Sequence, residues 1–289
     1  MKNKLAFIGG SGLYEINDFD NIEKLKIETP WGYSSEDIIK IIINEKELFF
    51  LSRHAKGHKI SPTNINYRAN ICALKMLGVT DIISISAVGS LKEDLFPKTF
   101  VIVDQYIDLT NQRKKTFFDN NIVAHVSMAH PTSKGLMNAC ENALKATGTP
   151  YQKGGTYVVM EGPQFSSKAE SQMYRSWNAD VIGMTNMPEA KLAREAEIRY
   201  ASIAMVTDFD CWHDEYDNVS VKQVIDTFKS NTVNAKNVIK NVVKKFEDFC
   251  DPNDPALTSL DAAIITNHDC FNTKDIEKLK HISARFFSK

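Results

Sequence analysis

The stretch SIAMVTDFDCWHD, Ser202 to Asp214, runs through apolar residues and then sets Asp208 and Asp210 two positions apart. Read as a strand, it alternates its side chains, so residues i and i+2 share one face. Two carboxylates are then expected side by side where an apolar strand, Arg199–Thr207, comes to its end. Like charges held that close need something to read or to protonate.

Working outward, further apolar runs are expected as strands over Leu5–Gly9, Ile38–Ile43, Glu47–Ser52, Asp81–Ala87, Thr99–Asp108, Thr156–Met160 and Asp180–Met184. Between them the spacing predicts helices. Asn66–Leu77 is stopped by Gly78 and Lys134–Thr147 by Gly148. Lys168–Trp177 and Pro188–Glu197 follow, and Pro188 suits a first helical turn, where a missing N–H costs nothing. The alternation argues an α/β fold. The longest helix is expected from near Val219, with Val221, Val224, Ile225 and Phe228 at helical spacing. Val238, Ile239, Val242, Val243 and Phe246 resume that pattern, and the polar KSNTVNAKN between the two runs suggests a bend or pause. After Cys250, DPNDPA breaks the chain. Residues 1–250 are expected to form one domain, and the tail, 251–289, to pack back on it. The sequence carries no internal repeat, low-complexity segment or forced linker.

Composition narrows the partners. The net charge is -1 over 289 residues, and no Lys/Arg cluster is dense enough for a phosphate-backbone groove, which argues against nucleic acid. A single nucleotide-sized anion needs only local positive charge. No stretch approaches a membrane span, and the opening MKNKLAFIGGSG breaks at Gly9, too early for a signal peptide. The five cysteines are scattered, without a CxxC pair, which fits reduced thiols in the cytoplasm rather than a disulfide frame or a zinc site.

The strand ends carry the chemistry. FIGGSGLY lets backbone N–H groups approach a phosphate, with Ser11 as a hydroxyl donor, although a tight turn explains it as well. In LSRHAKGH, Arg53 offers a rigid fork for phosphate oxygens and His54 a second donor, or the pair is a solvated loop. ISISAVGSL ends in Ser86, Ala87 and a glycine, small enough for N–H groups and one hydroxyl to face a ligand. VVMEGPQFSSKAE places Glu161, Phe165 and Ser166 in a loop, where an aromatic covers a planar ligand or plugs a core. DVIGMTNMPEAKLA brings Met184 and Thr185 to another strand end. Convergent polar groups of this kind build small-molecule sites. The Asp pair with His213 leaves a metal-dependent hydrolase open, and a non-catalytic nucleoside sensor is open as well.

Taken in order, FIGGSGL, SRHAKGHKISPTNINYRANICALK, SAVGSL, MEGPQFSSKAES, MTNMPEAKLARE and ASIAMVTDFDCW resemble the trimeric nucleoside phosphorylases, nearest the branch that cleaves 5′-methylthioadenosine. The resemblance runs from Leu5 to about Lys245 and implies a single α/β domain. Its central mixed, partly barrel-like β-sheet would be flanked by helices. It implies phosphate held by Ser11, Arg53, His54, Ser86, the Ala87 N–H and Thr185. Met184 would lie against the ribose, Phe165 and Ser166 would border the base, and Val221, Val224 and Ile225 would wall the methylthio group. His125 matches a residue lent by a neighbouring subunit of a homotrimer. Ser11 and Ser86 stand where the family often has Thr, and Asn186 replaces another frequent Thr. Asp208 is then placed to protonate adenine N7 and Asp210 to accept from the 6-amino group. The activity implied is phosphorolysis of methylthioadenosine with phosphate as co-substrate and neither cofactor nor metal. Methylthioinosine or general purine nucleoside phosphorolysis is the alternative.

Overall fold

The computed structural model describes residues 3–10, 22–43, 46–119, 121–213 and 221–287, without the side chains of 221–226, 228–230 and 284. The elements in chain order begin with β1 (Leu5–Gly9), β2 (Glu23–Leu25), β3 (Glu28–Thr29), β4 (Gly32–Tyr33), β5 (Ile38–Ile43), β6 (Lys46–Ser52) and α1 (Tyr67–Met76). They continue with β7 (Asp81–Ser90), β8 (Phe100–Val103), β9 (Gln105–Asp108), α2 (Lys134–Thr147), β10 (Tyr151–Lys153), β11 (Thr156–Val159) and α3 (Lys168–Ser176). Last come β12 (Val181–Gly183), α4 (Asn186–Glu195), β13 (Arg199–Asp208), α5 (Val221–Lys245) and α6 (Thr273–Phe287).

Eleven of these strands form one mixed sheet whose main path is β10-β8-β13-β7-β1-β6-β5-β2. The far end of β7 also pairs with β12, β12 with β11, and β11 with β9. Because β8 and β9 adjoin in the chain, β13, β7, β12, β11 and the β9–β8 stretch come round on themselves. This is the partly barrel-like sheet that was expected. The single strand expected over Thr99–Asp108 is broken at Asp104 for the same reason. Val103 pairs with Ser202 of β13 while Gln105 pairs with Thr156 of β11, so the chain must turn between two neighbours.

Alternation sorts the core onto two faces. Leu5 and Phe7 of β1, Ile83 and Ile85 of β7, and Ala201, Ile203 and Met205 of β13 pack beneath α2 and α5. Ala6 and Ile8, Ile82 and Val88, and Tyr200, Ala204 and Val206 face the other way, against α1, α4 and the tail. A sheet covered on both sides needs apolar residues at most strand positions, as these runs supply, with buried serines such as Ser84 and Ser202 the exceptions. Leu260, Ala263, Leu279 and Ile282 of the tail are buried in that second layer.

Helix α5 runs unbroken through KSNTVNAKN, where a bend was expected. Asn231 turns inward and its amide donates to Val206 O at 3.2 Å, so a polar residue sits on the buried face without unwinding the helix. Among the described residues, no helix is long and apolar enough to cross a membrane.

Candidate active site

Strands β6, β1, β7 and β13 are mutually parallel, so their carboxyl ends gather on one side of the sheet. Ligands of open α/β sheets collect at that side. Arg53 and His54 follow β6, Ser86–Gly89 close β7, Thr185 follows β12 and Asp208 ends β13.

Arg53 is 1% exposed and its fork is already engaged. Nε donates to Glu189 Oε2 and Nη2 to Glu189 Oε1, both at 3.2 Å, a two-point ion pair. Nη1 also donates to Ile85 O at 2.9 Å, and Nη2 lies 2.7 Å from Ser84 Oγ and 3.2 Å from Ile8 O. These bonds draw the guanidinium into the seam between β1 and β7.

His54 is buried and stacks on His58, with ring centroids 4.1 Å apart. Burial lowers its pKa to about 3, with the Arg53 charge acting the same way, so the ring is neutral at physiological pH. Its Nδ1 sits 2.9 Å from Ile60 O. A carbonyl only accepts, so Nδ1 carries the proton and Nε2 is left as an acceptor. The donor expected of His54 is therefore spent on Ile60.

The hydroxyls of Ser86 and Thr185 are buried and complete no hydrogen bond among the described residues, and Tyr157 OH shares that state. Buried hydroxyls are normally paired, and these three neighbour one another, Ser86 and Thr185 both acting on Tyr157, so together they form a polar cradle without a well-formed partner outside the group among the described residues. Thr185 is also the N-cap of α4 and makes no side-chain cap bond. Met187, the second residue of α4, is extended at φ -117° and ψ 132°, so the regular helix begins only after it and Thr185 sits on the irregular approach. Ala87 is half-buried one residue beyond Ser86.

The carboxylate pair meets by a different geometry from the one expected. Strand β13 stops at Asp208, after a register shift that inserts Thr207 between the pairs Val206–Val88 and Asp208–Gly89. Asp210 is past the strand in a left-handed turn, φ 50°, a conformation Asp tolerates better than most residues. The bulge and turn, rather than strand alternation, bring the two together: the Asp210 N–H donates to Asp208 Oδ1 at 2.8 Å. Thr207 Oγ1 lies 2.7 Å from Asp208 Oδ2. Burial, with Asp210 nearby, raises Asp208 to about 6. Burial raises Asp210 as well, against the lowering effect of the neighbouring Ser171 and Ser166 hydroxyls.

Gly89 makes room for this pair. A Cβ there would lie 2.9 Å from Asp208 Oδ1 and 3.3 Å from Asp210 Cβ, so the absent side chain is the space the carboxylates occupy. Trp212 fixes the turn that follows. Its Nε1 donates to Ser90 O at 2.8 Å and the Arg175 guanidinium stacks 3.4 Å above its ring.

The remaining expected residues divide into three groups. Ser166 is buried, and its carbonyl accepts from the Cys211 thiol at 3.2 Å, which ties the loop after β11 to the Asp210 turn. Phe165 is 40% exposed on that loop, and half-buried Met184 packs against the cluster of Met160, Phe209 and Trp212. His125 is exposed on a separate segment, where its N–H donates to Ala263 O in the tail. Ser11 lies outside the described residues, as do the side chains of Val221, Val224 and Ile225 at the start of α5. Among the described residues no three His, Cys, Asp or Glu side chains gather as a metal site.

Two residues that join the site were missed. Glu189 is buried in α4 as the counter-ion of Arg53. Arg113 is buried beneath Met160, Glu161, Met184 and Met187 and donates to the carbonyls of Glu161, Met184 and Met187 at 2.8, 2.7 and 2.6 Å. In the sequence it stands in QRKK, which reads as surface charge.

The sequence pattern of the Phosphorylase superfamily matches residues 4–244. The S-methyl-5′-thioadenosine phosphorylase of Rhodospirillum rubrum is 50% identical over 97% of this chain and 96% of its own length. That of Geobacter sulfurreducens is 45% identical over 99% and 100%. Among solved structures, a methylthioadenosine phosphorylase from an antarctic soil metagenomic library superposes with a TM-score of 0.89 at 46% identity, covering 97% of this chain and 98% of its own. The methylthioadenosine phosphorylase of Schistosoma mansoni in complex with adenine gives 0.85 at 33% identity, over 93% and 100%. This chain, with its carboxylate pair and its hydroxyl cradle on one sheet edge, belongs to the phosphorylase superfamily and, within it, to the S-methyl-5′-thioadenosine phosphorylases.

Proposed function

We propose that the protein cleaves S-methyl-5′-thioadenosine with inorganic phosphate, giving adenine and 5-methylthioribose 1-phosphate. The observation that carries this reading is the buried pair Asp208–Asp210, with Asp208 raised to about 6. Breaking the glycosidic bond drives electrons into the base, and a carboxyl that holds its proton near neutrality can donate it to adenine N7. Asp210 presents an acceptor to the 6-amino group, whereas a 6-oxopurine would set two acceptors against each other. Phosphate lies among Ser86, Thr185, the Ala87 N–H and Ser11, with Arg53 behind it, and His54 Nε2 accepts from the O–H of a hydrogen phosphate. These groups orient the anion against the anomeric carbon, and its charge stabilises the oxocarbenium character of the ribosyl group. No covalent intermediate, metal or further cofactor takes part, and the enzyme works in the cytoplasm. Incubation with methylthioadenosine, adenosine and methylthioinosine, each with and without phosphate, tests the reading. Adenine release from methylthioadenosine only when phosphate is present supports it, and phosphate-independent release sinks it.

Asp210→Asn keeps the shape and adds an amide donor, so it relaxes base choice. The ratio of methylthioadenosine to methylthioinosine cleavage is expected to fall by about tenfold or more, since a mispaired buried polar group costs about 1–3 kcal/mol. An unchanged ratio removes Asp210 from base recognition.

The working unit in this reading is a homotrimer whose His125 reaches a neighbouring protomer's methylthio pocket, opposite Val221, Val224 and Ile225. An apolar methylthio group gains roughly 25 cal/mol per Å² only when the pocket closes around it. His125→Ala is expected to lower the preference for methylthioadenosine over adenosine by about five- to tenfold, the worth of roughly 1 kcal/mol of apolar contact. A fully active monomer in sedimentation, or an unaltered preference, would contradict this assembly.

A further inference from the structure

Glu189 has no place in the chemistry above, yet it is 1% exposed and ionised side chains are rarely buried without a purpose. It grips Arg53 at two points, and Tyr200 OH donates to its Oε1 at 2.9 Å. We propose that Glu189 is a positioning residue that sets the charge of the phosphate cradle, holding Arg53 as half of a buried neutral pair so that the bound anion keeps its own negative charge. The inference rests on the phosphate site assigned above.

The groups around the cradle agree with this. Ser86 and Thr185 contribute hydroxyls. His54 is neutral, its proton committed to Ile60. Two guanidinium groups lie near it, Arg113 paired with Glu161 and Arg53, the nearer to the strand ends, paired with Glu189, which cancels it. In a dry interior an uncancelled guanidinium would hold phosphate tightly before and during the reaction alike. Binding that is equal in ground and transition state lowers KM without raising kcat. An over-neutralised phosphate is also a poorer nucleophile and a poorer partner for the ribosyl cation. The pair thus gives up phosphate affinity in exchange for rate.

The variant Glu189→Gln keeps the outline and one acceptor but frees the Arg53 charge. The expected result is a phosphate KM lower by about tenfold and a kcat lower by at least as much, read as separate parameters. Inorganic phosphate alone should also bind more tightly in calorimetry. A residue that merely held Arg53 in place would do the opposite, because a loosened arginine raises KM. Tyr200→Phe supplies the second arm. Removing that donor leaves more of the Glu189 charge on Arg53, so phosphate KM should rise about two- to threefold with kcat nearly held. Opposite KM shifts in the two variants support the proposal; shifts in the same direction, or none, overturn it. Should Glu189→Gln fail to fold, Tyr200→Phe decides by itself, an unchanged or lowered KM being the overturning result. Failure of the wild type to require phosphate at all would instead strike the proposed function.

Discussion

Asp208→Asn is expected to lower the rate of methylthioadenosine cleavage by about 10²–10⁴-fold, the span that a positioned general acid supplies. The amide cannot pass a proton to N7, although it fills the same space beside Gly89. The same substitution should make the folded protein more stable at neutral pH. In the fold the Asp208 carboxyl titrates near 6 rather than 3.8, because burial penalises its charged form. A raised acid is fully tolerated below its unfolded pKa, and stability is lost as pH rises towards the folded value. The penalty therefore grows between about pH 4 and pH 6 and is complete above that. A shift of about two units corresponds to roughly 3 kcal/mol. Asn escapes it but loses part of the pairing with Thr207 and the Asp210 N–H, which leaves a net gain of about 1–2 kcal/mol. Denaturant unfolding at pH 8 and pH 4.5 checks the sign: the gain belongs at pH 8 and should shrink at pH 4.5. Equal gains at both pH values would mean that Asp208 is not the titrating group. Near-normal turnover would remove it from proton transfer. Lost activity with gained stability in one substitution is the mark of a group kept for chemistry at the expense of the fold.

How far the sequence could be read follows from what each signal depends on. Strand β1 is bounded as expected because burial on both sheet faces writes a continuous apolar run, whereas β5, with only Ile38 and Ile41 buried, is marked by its run of β-branched residues. The turn at Asp104 was invisible, since both sides of it are strand-like and only the exchange of partners separates them. Helix α6 and its buried Leu279 and Ile282 lacked any motif to mark them. In the site, Asp208 and Asp210 were legible as residues but not as geometry. Strand periodicity placed them on one face, while a bulge at Thr207 and a left-handed turn at Asp210 do the placing. His54 was read as a donor because local sequence does not show that Ile60, six residues on, would take its proton. Glu189 lay in plain sight within MPEAKLARE but reads as one more charge on a helix. Its meaning comes from Arg53, far away in the chain and adjacent only through the β1–β7 seam.

Arg113 is the hardest of these to read and carries the largest expected effect on stability. Its neighbours Gln112 and Lys114 are exposed, whereas its own side chain is wholly buried. One face of the guanidinium meets Glu161, with Nε donating to Oε1 at 2.9 Å, and Nη1 donates to Tyr67 OH at 3.0 Å. The rest serves the carbonyls at the ends of β11 and β12. Burial works to raise the Glu161 carboxyl, but hydrogen bonds from Thr63, the Asn111 and Gln112 N–H groups and Arg113 outweigh it and hold it at about 2. Arg113→Met fills similar volume and removes every N–H that Arg113 donates, leaving the Thr63, Asn111 and Gln112 donors to Glu161 in place. Glu161 is left half-compensated, and the carbonyls of Met184 and Met187 lose the partner that sets the entry into α4. Removing one member of a buried pair costs about 3–5 kcal/mol, a large share of a domain's stability. Lys114→Met, one residue along on the exposed side, should stay within about 0.5 kcal/mol. Where the Arg113 variant still folds, its damage should appear in the nucleoside KM, because Met184 and Thr185 hang from the carbonyls that Arg113 holds. A variant as stable as the Lys114 control would show that water or a rearranged loop replaces all of these contacts. The clamp would then be dispensable, and the alignment of the two strand ends would have to come from the sheet alone.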